Sequence, residues 1–361
     1  MTDRDPSYGD VLRHLADRGL LDPARTADLH ALLARREAAP DQPWYVSALA
    51  GAGAWVAGFC LVLFLHEVGA IARWEAAQLL PWGIGFLIAA TALRRRARSV
   101  FLVQLALAAS VVGHVLVLGG VAELTRRSHG HVFDSAEPTG ALAAAAVLLA
   151  AAHYPLNRDP LHRFLSVLNA AVFVVVWVFD ARLHVPLYLL LLLEAAGVAF
   201  LFTWHRTSAD LRSLAYALAT AFVLTHVVWI SRLELGAPEW PARIVSALWL
   251  LWILHWSAGG RSLLRHEPLL VAGAAAVLLA VVAPPGLLAA IGLLVLGHAL
   301  GERVLVGLGV VFVPAYLIVY YTELELGLDR KAYLLMASGL ILLAARWVLG
   351  RRPWAREEEA A

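Results

Sequence analysis

Cysteine occurs once in 361 residues, at Cys60, and lysine once, at Lys331. A single thiol excludes a disulfide framework, and its place inside an apolar run excludes a thiolate metal site. Charge of either sign is scarce: Asp, Glu, Lys and Arg make up 16% of the chain, against about 25% in soluble domains. The formal net charge of +2 carries no electrostatic footprint for nucleic acid or for a strongly acidic partner. The signatures H-E-x-x-H, G-x-S-x-G and G-x-x-x-x-G-K-[ST] are all missing. No catalytic residue, metal or cofactor is therefore expected, and an enzyme is the less favoured reading. The opening Met-Thr-Asp-Arg-Asp-Pro is not a signal peptide, so the first spanning helix is expected to serve as an uncleaved insertion signal.

What fills the chain is apolar. Hydrophobic residues make up 61% and the mean hydropathy is +0.72, which predicts an all-α integral membrane protein whose first partner is the lipid bilayer. From Trp44 onward twelve spans are predicted, at about 44–65, 75–93, 100–121, 138–154, 161–180, 186–204, 210–231, 241–257, 267–283, 286–301, 303–321 and 330–349. Three of them, 138–154, 267–283 and 286–301, fall short of the roughly 20 residues that cross a bilayer. Only Pro284-Pro285 separates the last two, which leaves open a tight hairpin of short helices or a re-entrant pair.

Residues 1–43 are the one stretch that reads as water-soluble. Tyr8–Asp17, ended by Gly19, and a second helix started by Asp22-Pro23 form an αα-hairpin with a small apolar face. It is too small to fold alone, so residues 1–40 are expected to dock on the membrane domain or on a protein partner. The predicted organisation is thus hairpin and linker 1–43, transmembrane domain 44–350, and a charged tail 351–361. With the N-terminus placed in the cytoplasm, 21 of the 29 basic residues fall on the cytoplasmic side. That asymmetry predicts both termini inside a bacterial inner membrane.

Polar groups inside the spans carry the functional expectations. Glu194 lies in Leu187–Trp204, which is otherwise apolar, roughly 10–12 Å below the surface where the span begins. A charged group at that depth costs several kcal/mol unless paired, hydrated or protonated. His114 in the third span and His226 in the seventh are assigned to the outer half. Asp180 ends the fifth span, and Tyr320 and Glu323 line the outer part of the eleventh. Glu194, His114 and His226 are therefore expected to share an outward-open polar pocket, with Asp180, Tyr320 and Glu323 near its rim, suited to a proton relay or coupled transport. The alternative is that each makes a separate interhelical hydrogen bond. His153, His162, His205, His255, His266 and His298 are read as interfacial tips. Asn169, Gln104 and Thr220 are read as interhelical hydrogen-bonding groups. The longest outer loop is Ala122–Glu137, whose Ser128-His-Gly-His131 and Asp134 read as a solvated segment rather than a metal site. A weak repeat also shows: Trp229-Ile-Ser-Arg-Leu-Glu-Leu-Gly236 against Tyr320-Tyr-Thr-Glu-Leu-Glu-Leu-Gly327, 91 residues apart.

The C-terminal third has a recognisable text. Gly297-His-Ala-Leu-Gly-Glu-Arg-Val-Leu-Val-Gly-Leu-Gly309, Tyr316-Leu-Ile-Val-Tyr-Tyr321 and Asp329-Arg-Lys-Ala-Tyr-Leu-Leu-Met-Ala-Ser-Gly339 resemble the bacterial membrane-protein family domain of unknown function 4401, over most of the chain from about Trp44. The N-terminal hairpin is similar to the start of domain of unknown function 2157. The resemblance implies a polytopic bacterial inner-membrane protein and assigns no residue a role. The functional expectation is a transporter or permease-like protein, with a non-catalytic membrane partner or scaffold acting through residues 1–40 as the alternative. No substrate is readable.

Overall fold

The computed structural model describes residues 44–351, except 72–74, 98, 130–135, 158, 204–208, 231–237, 261–266 and 324–327, and in addition residues 14, 18 and 29. The predicted N-terminal hairpin, the charged tail and the Leu-Glu-Leu-Gly halves of the weak repeat lie largely or wholly outside the described residues.

Among the described residues from Trp44 on, twelve helices follow one another: α1 Trp44–Glu67, α2 Ala76–Arg96, α3 Val100–His129, α4 Ala136–Leu156, α5 Pro160–Asp180, α6 His184–Thr203, α7 Ala209–Ile230, α8 Trp240–Ser257, α9 Glu267–Val282, α10 Pro285–Leu300, α11 Arg303–Glu323 and α12 Leu328–Arg351. Nine of the helices among the described residues are long and apolar enough to cross a membrane. The chain is a multi-pass helical membrane protein. α9 and α10 are shorter, at 16 residues each. Two boundaries differ from expectation. The segment after residue 122 is helix as far as His129, not loop, because Glu123 holds both Arg126 and Arg127 one turn on, at 2.8 and 2.9 Å. The fourth helix starts at Ala136 and runs on through Pro155, giving 21 residues rather than a short span.

Local chemistry sets the ends that matter for the site. Asp159 caps α5: its Oδ1 accepts from the backbone N–H of Leu161 and of His162, with Pro160 at the first helical position. α10 begins at Pro285 and closes on Gly301, whose φ of 67° is left-handed. There the N–H of Glu302 bonds Gly297 O at 2.8 Å and that of Gly301 bonds His298 O at 3.1 Å, the paired arrangement of a glycine-closed helix end. Glu302 is held in turn from α7, by the Tyr216 hydroxyl at 2.9 Å and Arg212 at 3.4 Å.

The helices form two connected groups. α2 and α3 cross closely, because Gly83 and Gly113 face each other's backbone and a Cβ on either would overlap its neighbour. α1 packs against α3, and α3 also meets α4 and α5. α5 then carries the chain into the larger group, where Val175, Leu191, Val198, Phe222, Trp249 and Leu293 join α5, α6, α7, α8 and α10 in one apolar core. α7 is central, with 67% of its apolar stretch buried, whereas α1 and α12 bury 17% and 6% of theirs. α9 and α10 do not form a tight hairpin. α9 packs on α8 and α12, while α10 packs mainly on α8 and α11 and carries ten buried residues. A helix enclosed on that many sides by protein has no hydrocarbon thickness to match, which explains its short length.

Candidate functional site

The predicted shared pocket separates into three places. His114 lies on α3, whereas Glu194 on α6 and His226 on α7 each have their own partner within the larger group.

Glu194 is 2% exposed. Thr225 of α7 donates its hydroxyl hydrogen to Glu194 Oε1 at 3.2 Å, and Oε2 makes no hydrogen bond. One residue on, His226 is fully buried. Its Nδ1–H donates to Phe222 O, and its Nε2 is 2.9 Å from the hydroxyl of Ser246 on α8. A carbonyl oxygen can only accept, so the neutral ring carries its hydrogen on Nδ1 and Nε2 accepts from Ser246. Phe222 packs edge-on to the His226 ring and to Trp249. These are interhelical bonds of the kind the sequence reading held as its alternative.

His114 joins two histidines that the depth assignment had put elsewhere. Its ring lies 5.3 Å from that of His153 and 5.4 Å from that of His162, and the latter two are 5.5 Å apart. His162 is 1% exposed and His153 8%, so neither is an interfacial tip. The correction has a geometric cause. Depth counted along each helix assumes that all helices start in one plane. The middle of α3, 30 residues long, instead meets the last turn of α4 at His153 and the first turn of α5 at His162.

Ser110 organises the cluster. Its carbonyl accepts from His114 Nδ1 at 2.9 Å, and its hydroxyl lies 3.0 Å from His162 Nδ1. The first contact forces the His114 hydrogen onto Nδ1 and leaves the Nε2 lone pair unused. His114 Nε2, His153 Nδ1 and His162 Nε2 are all buried without a hydrogen-bond partner, each a costly omission unless something bonds there. Beside them is a cavity of about 180 Å³, lined by Val111, His114 and Leu118 of α3 and by His162, Ser166 and Asn169 of α5. The last three stand at i, i+4 and i+7, one face of a helix. That polar stripe in an apolar span was the legible signal for this site, and Ser110 four residues before His114 was its counterpart. A single water needs about 10–15 Å³ of such space and two to four polar partners; the volume is sufficient, and His114, His162, Ser166 and Asn169 are the polar groups on a lining otherwise apolar, which includes the exposed Val115. Among the described residues, no group of three or more His, Cys, Asp or Glu has the geometry to hold a metal ion.

The remaining predicted residues stay apart. Asp180 ends α5, one side of a short turn in which Arg182 takes a φ of 52°. Tyr320 is buried and stacks on Tyr316 at 6.4 Å, where α11 meets Gly286 of α10 so closely that a Cβ there would overlap the Tyr316 ring. Glu323 is the last residue of α11.

A family model described as Domain of unknown function (DUF4401) matches residues 43–352. No curated protein and no solved structure matches the chain.

Proposed function

The chain belongs to that family, and from the histidine cluster we propose that it is a permease-like protein of a bacterial inner membrane, with both termini cytoplasmic, whose moving or coupling ion is the proton. One observation carries this reading: three buried imidazoles in mutual contact, each with an unbonded ring nitrogen, beside a cavity of sufficient volume for water. Ionisable groups inside a membrane domain are costly and mark ion or proton paths, and imidazole is the side chain whose proton affinity suits exchange near neutral pH. The relay runs between cavity water and the ring nitrogens His114 Nε2 and His162 Nε2. His153 Nδ1 is a third unbonded ring nitrogen, and the Ser110 hydroxyl at His162 Nδ1 fixes that ring. Glu194, bonded to Thr225, and His226, bonded to Ser246, are separate polar contacts of the larger helical group and stand outside this relay.

The test is proton entry into proteoliposomes. A potassium diffusion potential drives the proton, and an enclosed pH-sensitive dye reports it. Wild-type protein is expected to acidify the lumen faster than protein-free vesicles, and His114→Gln and His162→Gln to return the rate close to the protein-free value. Wild-type vesicles no faster than empty ones would overturn the reading.

A further inference from the structure

The other end of the α2–α3–α4–α5 group has a different chemistry. The last turn of α2 carries Arg94, Arg95 and Arg96. Facing it are the end of α4 and the cap of α5. Between them is a cavity of about 500 Å³, lined by Thr91, Arg94, Arg95, Pro155, Leu156 and Asn157. Arg94 Nε stands 3.4 Å from Asp159 Oδ2. Asp159 is already committed, since its Oδ1 caps α5. Behind the wall, Arg163 is buried with its Nε donating to Tyr154 O and Asn157 O and its guanidinium 4.7 Å above the Tyr154 ring. Among the described residues at this end, Arg94, Arg95 and the buried Arg163 are accompanied by the carboxylate of Asp159. Arg95 is exposed, lines the cavity and makes no hydrogen bond or ion pair with another described residue.

The surfaces that rise from this cavity are apolar. On α2, Ile88 and Ile84 are 66% and 51% exposed and stand three and seven residues before Thr91, on the same face. On α4, Leu156, which lines the cavity, is 49% exposed. α2 and α4 both pack on α3, and the stronger helix contacts do not include one between them; the cavity between their ends is basic, and the exposed Ile88 and Ile84 continue from Thr91 along α2.

We propose that this cavity and the apolar surface above it bind an anionic glycerophospholipid, with its phosphate at Arg94 and Arg95 and its acyl chains along Leu156, Ile88 and Ile84. Planar guanidinium forks match phosphate oxygens in pairs, and basic pockets between spanning helices are suited to acidic headgroups. The exposed isoleucines and Leu156 distinguish this occupant from free phosphate, which would make no use of them. The site stands on residues separate from the histidine cluster, and its test does not depend on proton movement.

The full chain in a neutral detergent is titrated with phosphatidylglycerol, with phosphatidylcholine of the same chains, and with inorganic phosphate, and bound lipid is counted by native mass spectrometry. Phosphatidylglycerol is expected to be retained over phosphatidylcholine. Arg95→Gln is expected to weaken it by about fivefold, the loss of one arginine at an acidic headgroup, while leaving phosphatidylcholine unchanged. Arg96→Gln is the control: it removes the same charge one residue away, off the cavity wall, and is expected to have little effect. Equal retention of the two lipids, or an equal loss in the Arg95 and Arg96 variants, would overturn the proposal. Inorganic phosphate at millimolar concentration displacing phosphatidylglycerol would overturn the lipid as occupant.

Discussion

Glu194 and Thr225 show how a buried polar pair can be assigned to structure or to function. The carboxyl group has one donor, and removing it with Thr225→Val leaves Oε1 buried without a partner. That loss is expected to cost about 1–3 kcal/mol, read as an earlier midpoint in SDS titration of the protein in mixed micelles. Replacing both groups, as Thr225→Val with Glu194→Leu, removes the unmet demand and is expected to recover most of the stability. If the pair is only structural, the double variant also keeps wild-type proton entry. If it belongs to the conduction path, the double variant is stable and slow. At this scale the sequence revealed that Glu194 is an exceptional residue, because one carboxylate in an apolar span is visible to composition alone. Its partner was not readable, because Thr225 lies 31 residues away on another helix and nothing in the intervening text fixes the rotation of α6 against α7.

Helices in this chain are defined as much by their ends as by their apolar lengths. Asp159 holds the start of α5, and with it the backbone N–H of His162, whose ring is in the cluster. Asp159→Ala is expected to destabilise the protein by about 0.5–2 kcal/mol in the same titration. Asp159→Asn, which keeps an accepting side-chain oxygen, is expected to stay within a few tenths of wild type. A large loss in both would instead assign the effect to the ion pair with Arg94 at 3.4 Å. Asp159-Pro160 ahead of an apolar run was readable as a helix start, and the observed boundary follows it. The meeting of the middle of α3 with the ends of α4 and α5 was not, since it depends on how these helices are offset along one another.

Across the whole molecule the apolar surface is arranged for lipid. α1 exposes Leu49, Val56, Phe59 and Phe64 along its length and packs only on α3 among its stronger contacts. Cys60, the single cysteine, is on that exposed side, about 10 Å from the end of α1. In intact membrane vesicles a charged maleimide is expected to leave Cys60 unlabelled and to react only after denaturation in SDS, because the bilayer keeps both water and reagent from it. Ready labelling in intact vesicles would place α1 at an aqueous surface and contradict its role as a spanning helix.

The sequence by itself determined the class of protein, the order of its helices and the position of most of their boundaries. Those depend on apolar runs, proline and capping residues, and they are local quantities: a run of about 20 apolar residues can satisfy its backbone in a membrane only as a helix. The enclosure of α10, the meeting of His114 with His153 and His162, and the basic cavity between the ends of α2 and α4 were decided by tertiary structure alone. Each depends on the axial offset and rotation of one helix against another. Close glycine contacts such as Gly83 with Gly113, and Gly286 with Tyr316, set those offsets. In a chain where nearly every span is apolar all round, hydrophobic pattern does not tell a protein-facing side from a lipid-facing one.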